Sequence, residues 1–170
     1  MRYVLHDRDE QALARLGARH NAPGTWIKAA TEPAYLRAAL PPEWKTAEPC
    51  YLMTAAYRAA SDEPSPPYTT SVQIDGQVIS AAILGHEGQI AASGRLAVAG
   101  PFGIVDQVET APEHRRRGLG SAVMRTLALH GLQFGADSGV LVATDDGRHL
   151  YETLGWRVAA PIAAAYVPEQ

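Results

Sequence analysis

The spacing of apolar and polar positions changes rhythm along the chain, and each change marks an element. Arg2–His6 reads as a short strand. Asp7 is placed to cap a helix over residues 9–19, where Leu13 and Leu16 share a face. Residues 21–25 read as a loop, and a second short helix covers Pro33–Leu40, stopped by Pro41-Pro42. Tyr51–Tyr57 is apolar and fits either strand or helix. Residues 61–67 hold three prolines among polar neighbours and read as a surface loop, not a domain linker.

The middle of the chain alternates with the period of strands. Tyr68–Ile74 and Gln77–Leu84 flank Asp75-Gly76, a dipeptide suited to a tight hairpin. Gln89–Val98 follows, closed by Gly100-Pro101, and then Ile104–Thr110. Residues 114–134 switch to helical period, with Leu119, Ala122, Val123 and Leu127 on one face. Val140–Ala143 returns as a short strand. Asp145–Leu154 reads as a helix that Thr144 or Asp145 can cap and Gly155 can end, and Trp156–Val167 is a last strand. Helices, an antiparallel run of strands and then β-α-β-α-β describe an α+β fold, a mixed sheet with helices on its faces.

Composition narrows the function classes. A chain of 170 residues with 46% hydrophobic and 19% charged residues suits one folded domain over residues 1–170. A net charge of −3 lacks the basic surplus of a nucleic-acid binder, so no nucleic-acid partner is expected. The single cysteine, Cys50, has no partner for an internal disulfide, which fits a reducing, cytoplasmic setting; it is expected as a small apolar residue. The charged first twenty residues carry no signal-like apolar block, and no stretch reaches the roughly 18 apolar residues of a membrane span. None of the six histidines pairs with another at a metal-binding spacing, and no metal is expected.

The informative segment is Val108–Leu127. A strand ends, a short turn follows, and a helix begins with Gly118 and Gly120 at its start and Arg115, Arg116 and Arg117 just before it. Glycine in a helix costs about 1 kcal/mol relative to alanine, so two of them need a reason; close approach of the backbone to a bulky group is one. A helix N-terminus offers unpaired N–H groups and partial positive charge, and three arginines add fixed charge, which together suit a phosphate. The nucleotide P-loop pattern is absent, and the dinucleotide fingerprint would need glycine where Val123 stands.

The run Arg115-x-x-Gly118-x-Gly120, following the strand at Val108–Thr110, resembles the [Q/R]-x-x-G-x-[G/A] motif of the GNAT superfamily of acyl-CoA N-acyltransferases. Leu150-Tyr151 with Leu154-Gly155-Trp156 resembles a second element of that family, and the likeness extends over residues 69–166. It implies a mixed, mostly antiparallel sheet of six or seven strands, splayed at a cofactor cleft. Residues 68–167 would form the cofactor-binding core, and 1–66 a variable acceptor-side region. It implies acetyl-CoA as donor, with the backbone of Val108, Glu109 and Thr110 along the pantetheine. The pyrophosphate would lie over Arg115, Arg116, Arg117, Gly118, Leu119, Gly120 and Ser121. The reaction implied is attack of a primary amine, most simply a small molecule, on the thioester.

Tyr151 matches the position that donates a proton to the departing thiolate. Thr144 stands seven residues before it, where many members have an asparagine on the cofactor. The family's two usual positions for a base are occupied here by Ile104 and Gly139. Asp106 and Glu109 remain as substitutes, on opposite faces of a regular strand, with Asp106 on the face of Val108 and Thr110; a β-bulge would alter that. Water relay is the third option. His114 and His149 lie near the two motifs, and Trp26 and Trp44 either line an acceptor pocket or pack in the core. Many relatives dimerise through late strands, so a homodimer is also an expectation. The competing readings are a non-catalytic acyl-CoA-binding or regulatory domain and a nucleotide-phosphate binder.

Overall fold

The computed structural model describes residues 1–5, 9–59 and 63–169, so the expected Asp7 cap lies outside the described residues. The described chain forms two compact units, Met1–Met53 with Val142–His149 and Val158–Gln170, and Thr54–Leu141 with Leu150–Arg157.

In the first unit, β1 (Arg2–Leu5) runs parallel to β2 (Trp26–Ala29). Strand β10 (Arg157–Tyr166) pairs antiparallel with β2 and with β3 (Lys45–Thr46). Helix α1 (Glu10–Arg19) begins at Asp9, whose carboxylate accepts from the Ala12 N–H at 2.9 Å, a cap worth about 1 kcal/mol. Helix α2 (Pro33–Ala39) starts with proline in its first turn, where the missing N–H costs nothing. Leu13, Ile27, Leu36, Leu40 and Trp44 form the core with Ala163 and Ala165. Trp44 is 1% exposed and its indole N–H donates to the Gly17 carbonyl at 3.0 Å, which makes it a core residue and not an acceptor wall. Trp26 stacks on Tyr166 with ring centroids 4.9 Å apart.

Strand β4 (Cys50–Ala56) resolves the ambiguous apolar stretch as a strand, and Cys50 there is half-buried with a free thiol. The expectation of six or seven strands is corrected to ten among the described residues. β2 and β3 account for much of the excess. Four and two residues present too few inward positions for a period to be read.

The second unit is a meander. β5 (Thr69–Asp75), β6 (Val78–Leu84), β7 (Ile90–Ala99) and β8 (Phe102–Thr110) pair antiparallel in chain order. Asp75 pairs with Val78, so the β5–β6 turn is Gly76-Gln77, one residue later than read, with Gly76 at φ +57°. A 3₁₀ turn over Pro112–His114 leads to α3 (Leu119–Gln133), which starts five residues later than its periodicity suggested. α3 packs on β6, β7 and β8 through buried Leu119, Ala122, Val123 and Leu127. A Cβ at Gly94 would lie 2.8 Å from Val123 and 3.2 Å from Leu127, so glycine lets the helix settle onto β7. The chain returns as β9 (Ser138–Ala143), parallel to β8, and continues into α4 (Asp145–Thr153). Gly155, at φ +85°, ends α4. Its N–H bonds the Glu152 carbonyl and the Trp156 N–H bonds the Tyr151 carbonyl, each at 3.0 Å, the paired bonds of a Schellman cap.

One side chain organises the start of β8 and β9. Tyr57 is held by its N–H to the Asp137 carbonyl at 2.7 Å and by its hydroxyl to the Gly103 carbonyl at 3.3 Å. Its ring lies against three glycines on three elements. Added Cβ atoms would come within 2.7 Å of Tyr57 at Gly103, 3.2 Å at Gly131 and 2.6 Å at Gly139. Trp156 closes the socket edge-on, with centroids 6.3 Å from Tyr57.

Candidate active site

The parallel ladder between β8 and β9 covers Phe102↔Ser138, Gly103↔Gly139 and Ile104↔Val140, and ends there. β8 runs on for six more residues to Thr110. Along that edge the backbone groups have no ladder partner from β9, so an extended ligand can add as a strand.

Opposite the free edge, β8 carries an extra residue. Ser93 pairs with Glu109 and Arg95 with Asp106, so two residues of β8, Gln107 and Val108, oppose the single Gly94. Gln107 takes φ +55°, and its N–H donates to an Asp106 carboxylate oxygen at 2.9 Å. This is a β-bulge. It corrects the regular-strand expectation that Asp106 shares a face with Val108 and Thr110. Asp106 and Glu109 lie together, opposite Arg95 and Ser93. Val108 turns to the α3 side, its Cγ2 3.2 Å from where a Gly94 Cβ would stand.

At the end of β8 the chain turns into the arginine-glycine run. Gly118 caps α3 at φ +76°, a left-handed conformation that penalises any other residue, and Arg116 also has positive φ at +60°. The first helical bond of α3 is from the Ala122 N–H to the Gly118 carbonyl at 3.1 Å. The N–H groups of Leu119, Gly120 and Ser121 therefore precede the ladder of the helix and can meet an anion. The glycines have reasons other than ligand clearance. At Gly118 an added Cβ would meet nothing within 4 Å, so conformation selects it. At Gly120 it would sit 3.0 Å from Leu150 Cδ2, so packing of α3 against α4 selects it.

The arginines differ in their tethers. Arg115 Nε donates to the Thr110 carbonyl at 3.2 Å, closing the turn. Arg117 donates to the Glu113 carbonyl at 3.2 Å and to the Tyr68 hydroxyl at 2.8 Å. Tyr68 in turn lies 2.9 Å from His114 Nδ1. His114 thus braces this network. The sequence reading did not single out Tyr68. It follows two prolines outside any motif, and its only signal is being an aromatic residue at a strand entry.

Tyr151 is 9% exposed and packs on Trp156 with centroids 6.0 Å apart. Burial, and then the negative charge of Asp106, push its phenol above the ordinary tyrosine pKa. It stays a neutral O–H donor across the physiological range. At Gly139 an added Cβ would strike Trp156 and lie 2.6 Å from Tyr57, so no carboxylate fits there. Ile104 is 41% exposed on the face of Asp106. Thr144 caps α4, its Oγ1 accepting from the Gly147 N–H at 3.3 Å. His149 sits on the outside of α4, its Nδ1 2.8 Å from the Asp145 carbonyl. Among the described residues no group of three or more His, Cys, Asp or Glu could hold a metal, and no helix is long and apolar enough to cross a membrane.

Comparison with known proteins converges on one architecture. A GCN5-related N-acetyltransferase from Kribbella flavida superposes with TM-score 0.67 at 16% identity, over 95% of this chain and 77% of that one. A GNAT-family protein from Novosphingobium aromaticivorans gives 0.65 at 18%, over 96% and 83%. A GCN5-related N-acetyltransferase from Sphaerobacter thermophilus gives 0.65 at 13%, over 89% and 64%. No curated protein matches the sequence. At these identities the structures speak for the fold alone. The family itself rests on the model of the Acetyltransferase (GNAT) family, which matches residues 33–156, from α2 through the strand edge, the arginine-glycine run and Tyr151, and the chain belongs to that family.

Proposed function

We propose that this protein transfers an acetyl group from acetyl-CoA to the primary amine of a small molecule by direct attack on the thioester. The observation that carries the reading is the unpaired β8 edge from Val105 to Thr110, leading directly into the N–H groups at the start of α3. In this reading the pantetheine amides add to β8 beside Val108, Glu109 and Thr110. The pyrophosphate takes the N–H groups of Leu119, Gly120 and Ser121, with charge from Arg115, Arg116 and Arg117. Thr144 serves as the cap of α4, and a cofactor contact from it is not needed.

The chemistry then asks for three things. Proximity comes from holding both reactants against β8, which turns a bimolecular encounter into an attack within a complex. The amine nitrogen bonds to the thioester carbon while the C–S bond breaks. The departing thiolate takes the proton of the Tyr151 hydroxyl, which its raised pKa keeps available. The acceptor's ammonium first gives up one proton to Asp106 or Glu109, directly or through water, so that a neutral amine attacks; the second proton, released as the amide forms, restores the Tyr151 hydroxyl. The bulge supports this pair, since it brings both carboxylates to one face.

A non-catalytic acyl-CoA-binding domain is the second reading, favoured by the packing that excludes a carboxylate at Gly139. Thiol release from acetyl-CoA across a panel of amines separates the two. The enzyme reading expects amine-dependent release that falls steeply in Tyr151→Phe. Tight CoA binding with no turnover on any amine selects the binding domain.

A further inference from the structure

The face of β7 and β8 turned away from α3 carries an ordered set of charges. Across the ladder Arg95 stands opposite Asp106, and Ser93 opposite Glu109, with Gly94 between them turned to the helix. β5 to β8 together enclose a depression of about 500 Å³ on this side. Among the described residues its charged lining consists of one cation, Arg95, and one anion, Glu109, both exposed; Ser71, Gln73, Ser80 and Ser93 add neutral polar groups.

That balance discriminates between amine classes. A polyamine or aminosugar, carrying several positive charges, would meet a guanidinium in the wall where it needs carboxylates. A purely apolar amine would strip water from Arg95 and the hydroxyls and return no bonds to them. A molecule carrying both charges satisfies both ends. Arg95 and Glu109 are diagonal neighbours on adjacent strands, with backbones ~7–8 Å apart. Both side chains leave the same face of the sheet, so one compact zwitterion can make charge-assisted bonds to the two of them. Asp106 is a weaker competitor for Arg95, because one of its oxygens already accepts from the Gln107 N–H.

Resting on the acyl-transfer reading above, we propose that the acceptor is a small amino acid, whose carboxylate is held by the fork of Arg95 and whose amine is delivered beside Glu109. The guanidinium matches a carboxylate in two parallel bonds, which a lysine could not supply. Binding the amine beside Glu109 also sets the nucleophile next to one of the two candidate bases.

The test is steady-state kinetics with acetyl-CoA on matched acceptors: α-amino acids, their amides and their decarboxylated amines. The expected result is a kcat/KM for the acids at least tenfold above the amides. Arg95→Gln should reduce that ratio at least tenfold, mainly through KM for the acids. Arg95→Glu should move the preference toward diamines. Arg95 is exposed, so both variants should fold, and a thermal melt checks this. Turnover that is best on amines without a carboxylate, or an acid-to-amide ratio unchanged in Arg95→Gln, overturns this inference and leaves acyl transfer standing. Acetyl-CoA binding with no turnover on any acceptor overturns acyl transfer itself, and this inference with it.

Discussion

The two ends of the β8–β9 pair are made from opposite materials. At the closed end the strands are in register, and Tyr57 is wedged among Gly103, Gly131 and Gly139, with Trp156 against it. Trp156 there is buried and Tyr57 half-buried, both side chains are large, and the glycines give them room. Past Ile104 the ladder stops, β8 carries a bulge, and the following turn holds two residues at positive φ, Arg116 and Gly118. Glycine there serves backbone conformation instead. The closed end fixes the register of the two strands, and beyond Ile104 the edge of β8 has no ladder partner from β9. An unpaired edge inside a domain is costly unless something pairs with it, and the open end has the shape and the donors for an extended anionic ligand.

If that division is right, damage at the closed end should appear as stability and damage at the open end as function. The largest stability loss is expected for Tyr57→Ala, which empties the socket; about 3–5 kcal/mol is typical for such a truncation, read as a fall in the denaturant midpoint. Tyr151→Phe should cost roughly 10²-fold or more in amine-dependent turnover, the usual contribution of a general acid, with the melting temperature nearly unmoved. A stability loss without a kinetic one would make Tyr151 a packing residue. Gly118→Ala should destabilise by about 1–2 kcal/mol, the cost of a side chain in the left-handed region, and weaken acetyl-CoA binding in calorimetry. The smallest effect is expected for Tyr68→Phe. Removing the hydroxyl that holds Arg117 should shift acetyl-CoA affinity a few-fold, and stability by about 0.5 kcal/mol.

Tyr57, half-buried, and Tyr151, buried, also predict a pH signature. Burial raises the pKa of Tyr57, and burial with the charge of Asp106 raises that of Tyr151. The unfolded chain therefore loses these protons first. Stability should be flat with respect to them below the ordinary tyrosine pKa of about 10 and fall as pH rises beyond it, toward the folded values. Tyr57→Phe should flatten that alkaline decline, as followed by chemical unfolding at successive pH values.

Much of this contrast could be read in the sequence, and the remainder has identifiable causes. The helix α3 face, the cap at Gly155 and the arginine-glycine run were legible because period, turn chemistry and motif point the same way at those positions. The socket was not. Gly103, Gly131 and Gly139 lie on three different elements, and nothing local ties them to Tyr57. The bulge was legible only as an option. Residues 104–110 hold apolar Ile104, Val105 and Val108 without a strict alternation, and the extra residue is located only against β7, where Gly94 faces two partners. That one residue decides that Asp106 and Glu109 share a face. The short strands β2 and β3 were missed because too few positions point inward to establish a period.

The central claim is that the open end, and specifically the start of α3, receives the pyrophosphate of an acyl-CoA. Titrating the ¹⁵N-labelled protein with acetyl-CoA tests this directly. The amide signals of Leu119, Gly120 and Ser121 should shift strongly and saturably, and equimolar ATP should not displace the acetyl-CoA. Amide signals of these three residues that stay in place while acetyl-CoA binds elsewhere, or full displacement by ATP, would contradict it.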